Sequence, residues 1–121
     1  MAIDQKILLC EDDPGVRESV SMLLKIVGYE VEAVDRAEKV KSMLEAFNPN
    51  LLLIDLWLPQ LSGDACIKEI RTSESDHLPI ILFSANTEVR RIARECGADD
   101  YLIKPFEIEE LESKVKILLE A

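Results

Sequence analysis

Acidic side chains directly follow two of the most apolar runs in this chain. Glu11-Asp12-Asp13 directly follows the apolar run Ile7-Leu8-Leu9-Cys10, and Asp55 directly follows Leu51-Leu52-Leu53-Ile54. Two more polar residues hold the matching position: Ser84 after Ile80-Ile81-Leu82-Phe83, and Lys104 after Tyr101-Leu102-Ile103. Crowded carboxylates repel one another and tolerate this best around a cation. Oxygen ligands select a hard ion. An open site with few protein ligands favours magnesium, which keeps several waters and shares a phosphoryl oxygen. In such a site Asp55 can act as a nucleophile on a phosphoryl donor and form an acyl phosphate. Magnesium, Lys104 and the Ser84 hydroxyl would then meet the phosphoryl oxygens, and this transfer needs little beyond positioning and charge stabilisation.

For residues so distant in sequence to meet, each must end a strand of one sheet, and the apolar pattern supplies the strands. Ile7–Cys10 reads as the first. Asp13 then offers a helix N-cap before Pro14, and Val16, Val20, Leu23, Leu24 and Val27 recur at helical spacing up to Gly28. Tyr29, Val31 and Ala33 alternate with Glu30 and Glu32, as on an edge strand with one wet side. Asp35 and Glu38 read as a capping pair for a helix carrying Ala37, Val40, Leu44 and Phe47, broken at Asn48-Pro49-Asn50. Leu51–Ile54 and Ile80–Phe83 are apolar throughout, as expected of central strands buried on both faces. After the loop Pro59 to Gly63, helices carry Cys66, Ile67 and Ile70, then Val89, Ile92, Ala93 and Cys96, then Ile108, Leu111, Val115 and Leu118; Gly97 stops the middle one. This is an α/β, (βα)5 pattern with short connections, hence parallel strands, right-handed crossovers and a doubly wound sheet. If the strand order is 2-1-3-4-5, the ends of strands one and three flank the point where order reverses, and ligands bind there.

Composition fits this reading. The 121 residues point to one domain over 1-121, large enough for a core without disulfides. The net charge of −10 argues against direct nucleic-acid binding. No apolar run reaches membrane-spanning length, and Met1 to Lys6 lacks a signal-peptide pattern, so a cytoplasmic location is expected. The cysteines, Cys10, Cys66 and Cys96, read as reduced packing residues. His77 falls in the polar stretch from Ser73 and reads as a surface loop residue, with nothing near it in sequence to orient it.

The chain resembles the receiver domains of bacterial two-component response regulators over essentially its whole length. The resemblance is carried by Ile7–Asp13, by Asp55-Leu56-Trp57-Leu58-Pro59 with Ser62-Gly63, by Phe83-Ser84-Ala85 and by Gly97–Phe106, in that order and spacing. It implies a flavodoxin-like fold similar to chemotaxis regulators, with Asp55 as phosphoacceptor. Asp12 would bind Mg2+ directly, Glu11 through water, and the Trp57 carbonyl would add a ligand. Ser84 and Tyr101 would form the switch pair, Lys104 would bind phosphate, and the Lys104–Pro105 bond would be cis. The implied phosphodonor is a sensor histidine kinase or histidine phosphotransfer protein, and the only catalysis is self-phosphorylation and autodephosphorylation. The downstream target stays open, as does the choice between a stand-alone regulator, a relay shuttle and a piece of a longer protein.

The individual residues also have plainer readings. Asp13 is better explained as an N-cap than as a third metal ligand. Ser84, Tyr101 or Lys104 alone would be an ordinary strand-end, packing or surface residue. Trp57 is read equally well as a shield against water and as a docking aromatic. Haloacid-dehalogenase-like phosphatases also place an aspartate after a central strand, but with a second acid two residues on, where this chain has Trp57. A non-phosphorylated interaction module is the other alternative. Similar regulators often dimerise through helix four, strand five and helix five. Here that face carries Arg90, Asp99, Asp100, Glu110 and Lys114, and an Arg90–Glu110 pair is the expected contact of a phosphorylation-dependent homodimer.

Overall fold

A computed structural model describes residues 5–73 and 77–120. Parts of the N-terminal stretch and of the polar loop before His77 therefore lie outside the described residues. The chain alternates strands β1 (Lys6–Cys10), β2 (Glu30–Val34), β3 (Leu51–Asp55), β4 (Ile80–Ser84) and β5 (Asp100–Ile103) with helices α1 (Pro14–Val27), α2 (Val40–Phe47), α3 (Gly63–Ser73), α4 (Val89–Cys96) and α5 (Ile108–Glu120). The strands form one parallel sheet in the order β2-β1-β3-β4-β5. This is the flavodoxin-like architecture that the resemblance implied, with the expected order reversal between β1 and β3.

The two central apolar runs behave as two-sided strands, and every residue of β3 and β4 is buried. Alternate side chains feed separate cores. Leu8, Cys10, Leu52, Ile54 and Leu82 join Val40, Ile67 and Ala93 of α2, α3 and α4. Ile7, Leu9, Leu53, Ile81 and Phe83 join Val20 and Leu24 of α1 and Leu111 and Val115 of α5. Period-two alternation in the strands thus decides which helices cover which face. The three cysteines are free and buried, as packing residues should be. Burial pushes the Cys66 thiol up to about 11, which leaves it protonated and unreactive at neutral pH. No helix among the described residues is long and apolar enough to cross a membrane.

Three local expectations are corrected. Asp35 does not cap a helix. Its carboxylate bonds Arg36 and Lys39, a single 3-10 turn (Ala37–Lys39) intervenes, and α2 begins only at Val40. Ala33 is exposed although it shares the pleat of Val31, because β2 is an edge strand and an open groove separates this residue from α1. His77 is oriented after all: its Nε2 lies 2.6 Å from Asp99 Oδ1, a partner 22 residues away that local sequence does not reveal.

Candidate phosphoacceptor site

The site lies where β1, β3, β4 and β5 end. Cys10 pairs with Ile54 and Asp55 with Phe83, so Glu11 and Asp55 leave adjacent strands at the same level. Glu11 is 1 % exposed, Asp55 3 % and Ser84 0 %, burial that charged and polar groups tolerate only with partners. Lys104 supplies them. Its Nζ donates to Glu11 Oε1 at 2.8 Å and stands 3.4 Å from Asp55 Oδ2. It also lies 4.9 Å from the centre of the Phe83 ring, a cation–π contact. The Lys104–Pro105 bond is cis, as the resemblance implied. Glu11 Oε2 accepts from the Asp13 amide at 3.0 Å, so both Glu11 oxygens are engaged.

Asp55 is less well served. Its Oδ1 is buried without a hydrogen-bond partner, the only such side-chain atom among the described residues. Burial, then the charge of Glu11, push its carboxyl up from 3.8 to about 7 against the opposing pull of Lys104. Burial works against the Lys104 ammonium too, but its bond to Glu11 and the charges of Asp55 and Glu11 outweigh this and raise its pKa. Glu11, Asp12 and Asp55 can each offer an oxygen to one ion, with those atoms all within 4.8 Å of one another. An orphaned buried oxygen on one of three converging carboxylates fits a hard divalent cation. Asp13 stands outside this group; its Oδ1 caps α1 by accepting from Gly15 and Val16 at 2.9 and 3.3 Å.

A family model described as the response regulator receiver domain matches residues 7–116. The chain belongs to that family. A receiver domain is the phospho-accepting switch of a two-component system, and the fold and acid cluster are those of one. The receiver is 38 % identical over 117 residues to a probable transcriptional regulator, ycf27, of Porphyridium aerugineum, covering 95 % of this chain and 48 % of that protein. It is also 38 % identical over 116 residues to the response regulator MprA of Mycobacterium avium, covering 94 % of this chain and 50 % of that protein. It thus spans about half the length of the curated relatives it matches. Among solved structures, the receiver domain of a sensor histidine kinase from Pseudomonas aeruginosa superposes with a TM-score of 0.89 at 31 % identity, over 98 % of this chain and 100 % of that one. That structure has a magnesium ion coordinated in its active site cleft.

Within the receiver, Glu11, Asp12, Asp55 and Lys104 come together, and Ser84 borders them from β4. The Ser84 Oγ accepts from the Asn86 amide at 3.0 Å, and the Ser84 carbonyl accepts from the Lys104 amide at 2.9 Å. Tyr101 stands apart from the acids. It pairs with Leu82, is half-buried, and lies beneath Lys114 Nζ at 4.5 Å from its ring centre. Trp57 turns outward, 61 % exposed two residues after Asp55. Gly63 is a site residue whose role the sequence did not disclose. Its amide donates to the Leu56 carbonyl at 2.9 Å, and a Cβ there would lie 2.2 Å from the Asp55 carbonyl oxygen. Its place in a short Ser-Gly pair before a helix was the available signal, but only the close approach explains it.

Proposed function

We propose that Asp55 receives a phosphoryl group from a phosphohistidine on a sensor histidine kinase or histidine phosphotransfer protein. The carrying observation is the buried Asp55 carboxylate, one oxygen unpartnered and the other facing Lys104. An Asp55 oxygen attacks phosphorus, the P–N bond breaks, and its electron pair returns to the imidazole, leaving an acyl phosphate on Asp55. Lys104 meets a phosphoryl oxygen, and the Ser84 hydroxyl turns from the Asn86 amide to donate to another. Glu11, Asp12, Asp55 and the Trp57 carbonyl would hold magnesium, Glu11 through water as the resemblance implies. The bound ion offsets the negative charge of the carboxylates and of the incoming group. The chain is not a turnover enzyme on this reading: the second acid of a phosphatase is replaced by an exposed indole.

Phosphorylation then shifts the population of the α4-β5-α5 face, with Ser84 and Tyr101 as the moving pair. Most charges on that face are already paired internally: Asp99 with Arg71 at 2.9 Å, and Asp100 with Lys114 at 3.0 Å. Arg90 and Glu110 are exposed, and self-association through them is the homodimer reading. Incubation with acetyl phosphate and magnesium, followed by mass spectrometry of Asp55→Asn beside the parent, tests the acceptor. One added phosphoryl group in the parent and none in the variant is expected; addition to the variant overturns the assignment. Sedimentation of the beryllofluoride-treated protein tests the dimer, and a monomer at high concentration removes it.

A further inference from the structure

The loop bearing the acids leaves the sheet at Cys10 and enters α1 at Pro14. Most of its amides have partners. Glu11 N–H donates to the Val34 carbonyl at 3.0 Å, Asp13 N–H to Glu11 Oε2 at 3.0 Å, and the next free amides to the Asp13 cap. Its carbonyls pose the opposite problem. The Glu11 and Asp12 carbonyls lie beyond the strand ladder, and the Val16 amide that would reach Asp12 in a helix is taken by the Asp13 side chain. A half-buried carbonyl beyond the ladder requires another donor; the Glu11 carbonyl is half-buried, whereas that of Asp12 is exposed. Arg17 provides one to both: its Nη1 donates to Glu11 O at 2.9 Å and to Asp12 O at 3.3 Å. Helical side chains lean toward the N-terminus, so a residue in the second turn of α1 reaches back over this loop. Arg17 is itself half-buried and lines the open α1–β2 groove with Met22, Ile26 and Ala33, its Nη1 held by the two carbonyls.

We propose that Arg17 is a positioning residue for the metal loop, fixing the Glu11–Asp12 peptide so that the Asp12 carboxylate faces Asp55. This rests on the reading that Glu11, Asp12 and Asp55 bind magnesium. Two effects of the guanidinium oppose each other. As a cation it repels the ion, whereas as a carbonyl clamp it holds a ligand in place. The bond to the Glu11 carbonyl is direct, short and partly shielded from water, so the clamp dominates. Groups that orient metal ligands typically change affinity about 10-fold or more when removed.

The test compares the full chain with Arg17→Met, which keeps the apolar stem and loses the donors, and Arg17→Lys, which keeps a charged donor. Magnesium affinity is measured by calorimetry and by fluorescence of Trp57, the single tryptophan. Amide exchange at Asp13 is followed in metal-free protein, with thermal melts to verify folding. Arg17→Met is expected to bind magnesium about 10-fold more weakly, Arg17→Lys to recover part of the loss, and the Asp13 amide to exchange faster in Arg17→Met. Affinity in Arg17→Met within about twofold of the parent, or tighter, overturns the clamp, as does an equal loss in both variants. If the parent binds no magnesium, the reading of the acid cluster fails. The exchange measurement then decides the clamp alone: faster exchange supports it and unchanged exchange overturns it.

Discussion

Two carboxylates stand near opposite ends of β4, and the fold treats them differently. Asp99, between α4 and β5, is fully provided for. Its Oδ2 accepts from Arg71 Nη2 at 2.9 Å and from the Ile80 amide at 2.8 Å, and its Oδ1 lies 2.6 Å from His77. It ties α3, the start of β4 and the loop before β5 together at the rim. Asp55 is more deeply buried yet has one oxygen without a partner and a cation only at 3.4 Å from the other. A carboxylate whose lone pairs are all used is cement. One left short in a buried pocket keeps its nucleophilic oxygen available, at a cost to stability of the kind stored at functional sites.

Exchanging the two roles by mutation breaks the comparison. The largest effect expected is on chemistry: Asp55→Asn should abolish phosphoryl incorporation, whereas Asp99→Asn should leave it, both read by mass spectrometry. Gly63→Ala sharpens the site side. Its methyl must displace the Asp55 backbone, and a loss of about 3 kcal/mol in urea unfolding is expected, with phosphorylation slowed in whatever remains folded. Asp99→Ala should cost roughly 2 kcal/mol by the same measurement, since it strands Arg71's guanidinium from a charge-assisted bond and leaves the Ile80 amide unpaired.

A smaller effect probes Asp55 by pH. The Asp55 carboxyl is raised from 3.8 to about 7 in the folded, metal-free protein, so the folded state binds its proton more tightly than the unfolded state. Its contribution to stability is present below about pH 4 and is lost as pH rises through about 7. Metal-free Asp55→Asn should therefore melt several degrees above the parent at pH 8, and the gap should close in acid. A constant gap would mean that burial does not burden this carboxylate. The smallest effect expected is at Trp57. With its indole turned to solvent, Trp57→Asn should change the decay of purified phosphoprotein by less than about twofold, under 0.4 kcal/mol in the barrier. A tenfold acceleration would restore the shielding role.

Much of this was legible in the sequence because it is local or periodic. Apolar runs gave the strands, helical spacing gave the helices, and a polar residue closing each of four runs marked the site. The Asp13 cap was equally local, since its acceptor and donors lie within three residues. What escaped is contact between elements. The bonds of Asp99 to Arg71 and His77 span 28 and 22 residues and follow no repeat. Gly63 could be seen as a glycine but not as one pressed against the Asp55 carbonyl. At Asp35 a capping pattern and a pair of nearby cations compete for the same carboxylate, and the cations hold it.

The grip on Lys104 has a consequence for selectivity between electrophiles. A mixed anhydride such as acetyl phosphate offers two centres, an acyl carbon that amines attack and a phosphorus. An amine attacks only in its neutral form, and Lys104 is held as the ammonium by Glu11, Asp55 and the face of Phe83, with its pKa raised. On the proposed reading, the Asp55 oxygen is then the nucleophile such a donor meets, attacking at phosphorus. The same contacts that steady a charge thus act as a protecting group, keeping the lysine beside the acceptor from being acylated by the reagent that would phosphorylate it.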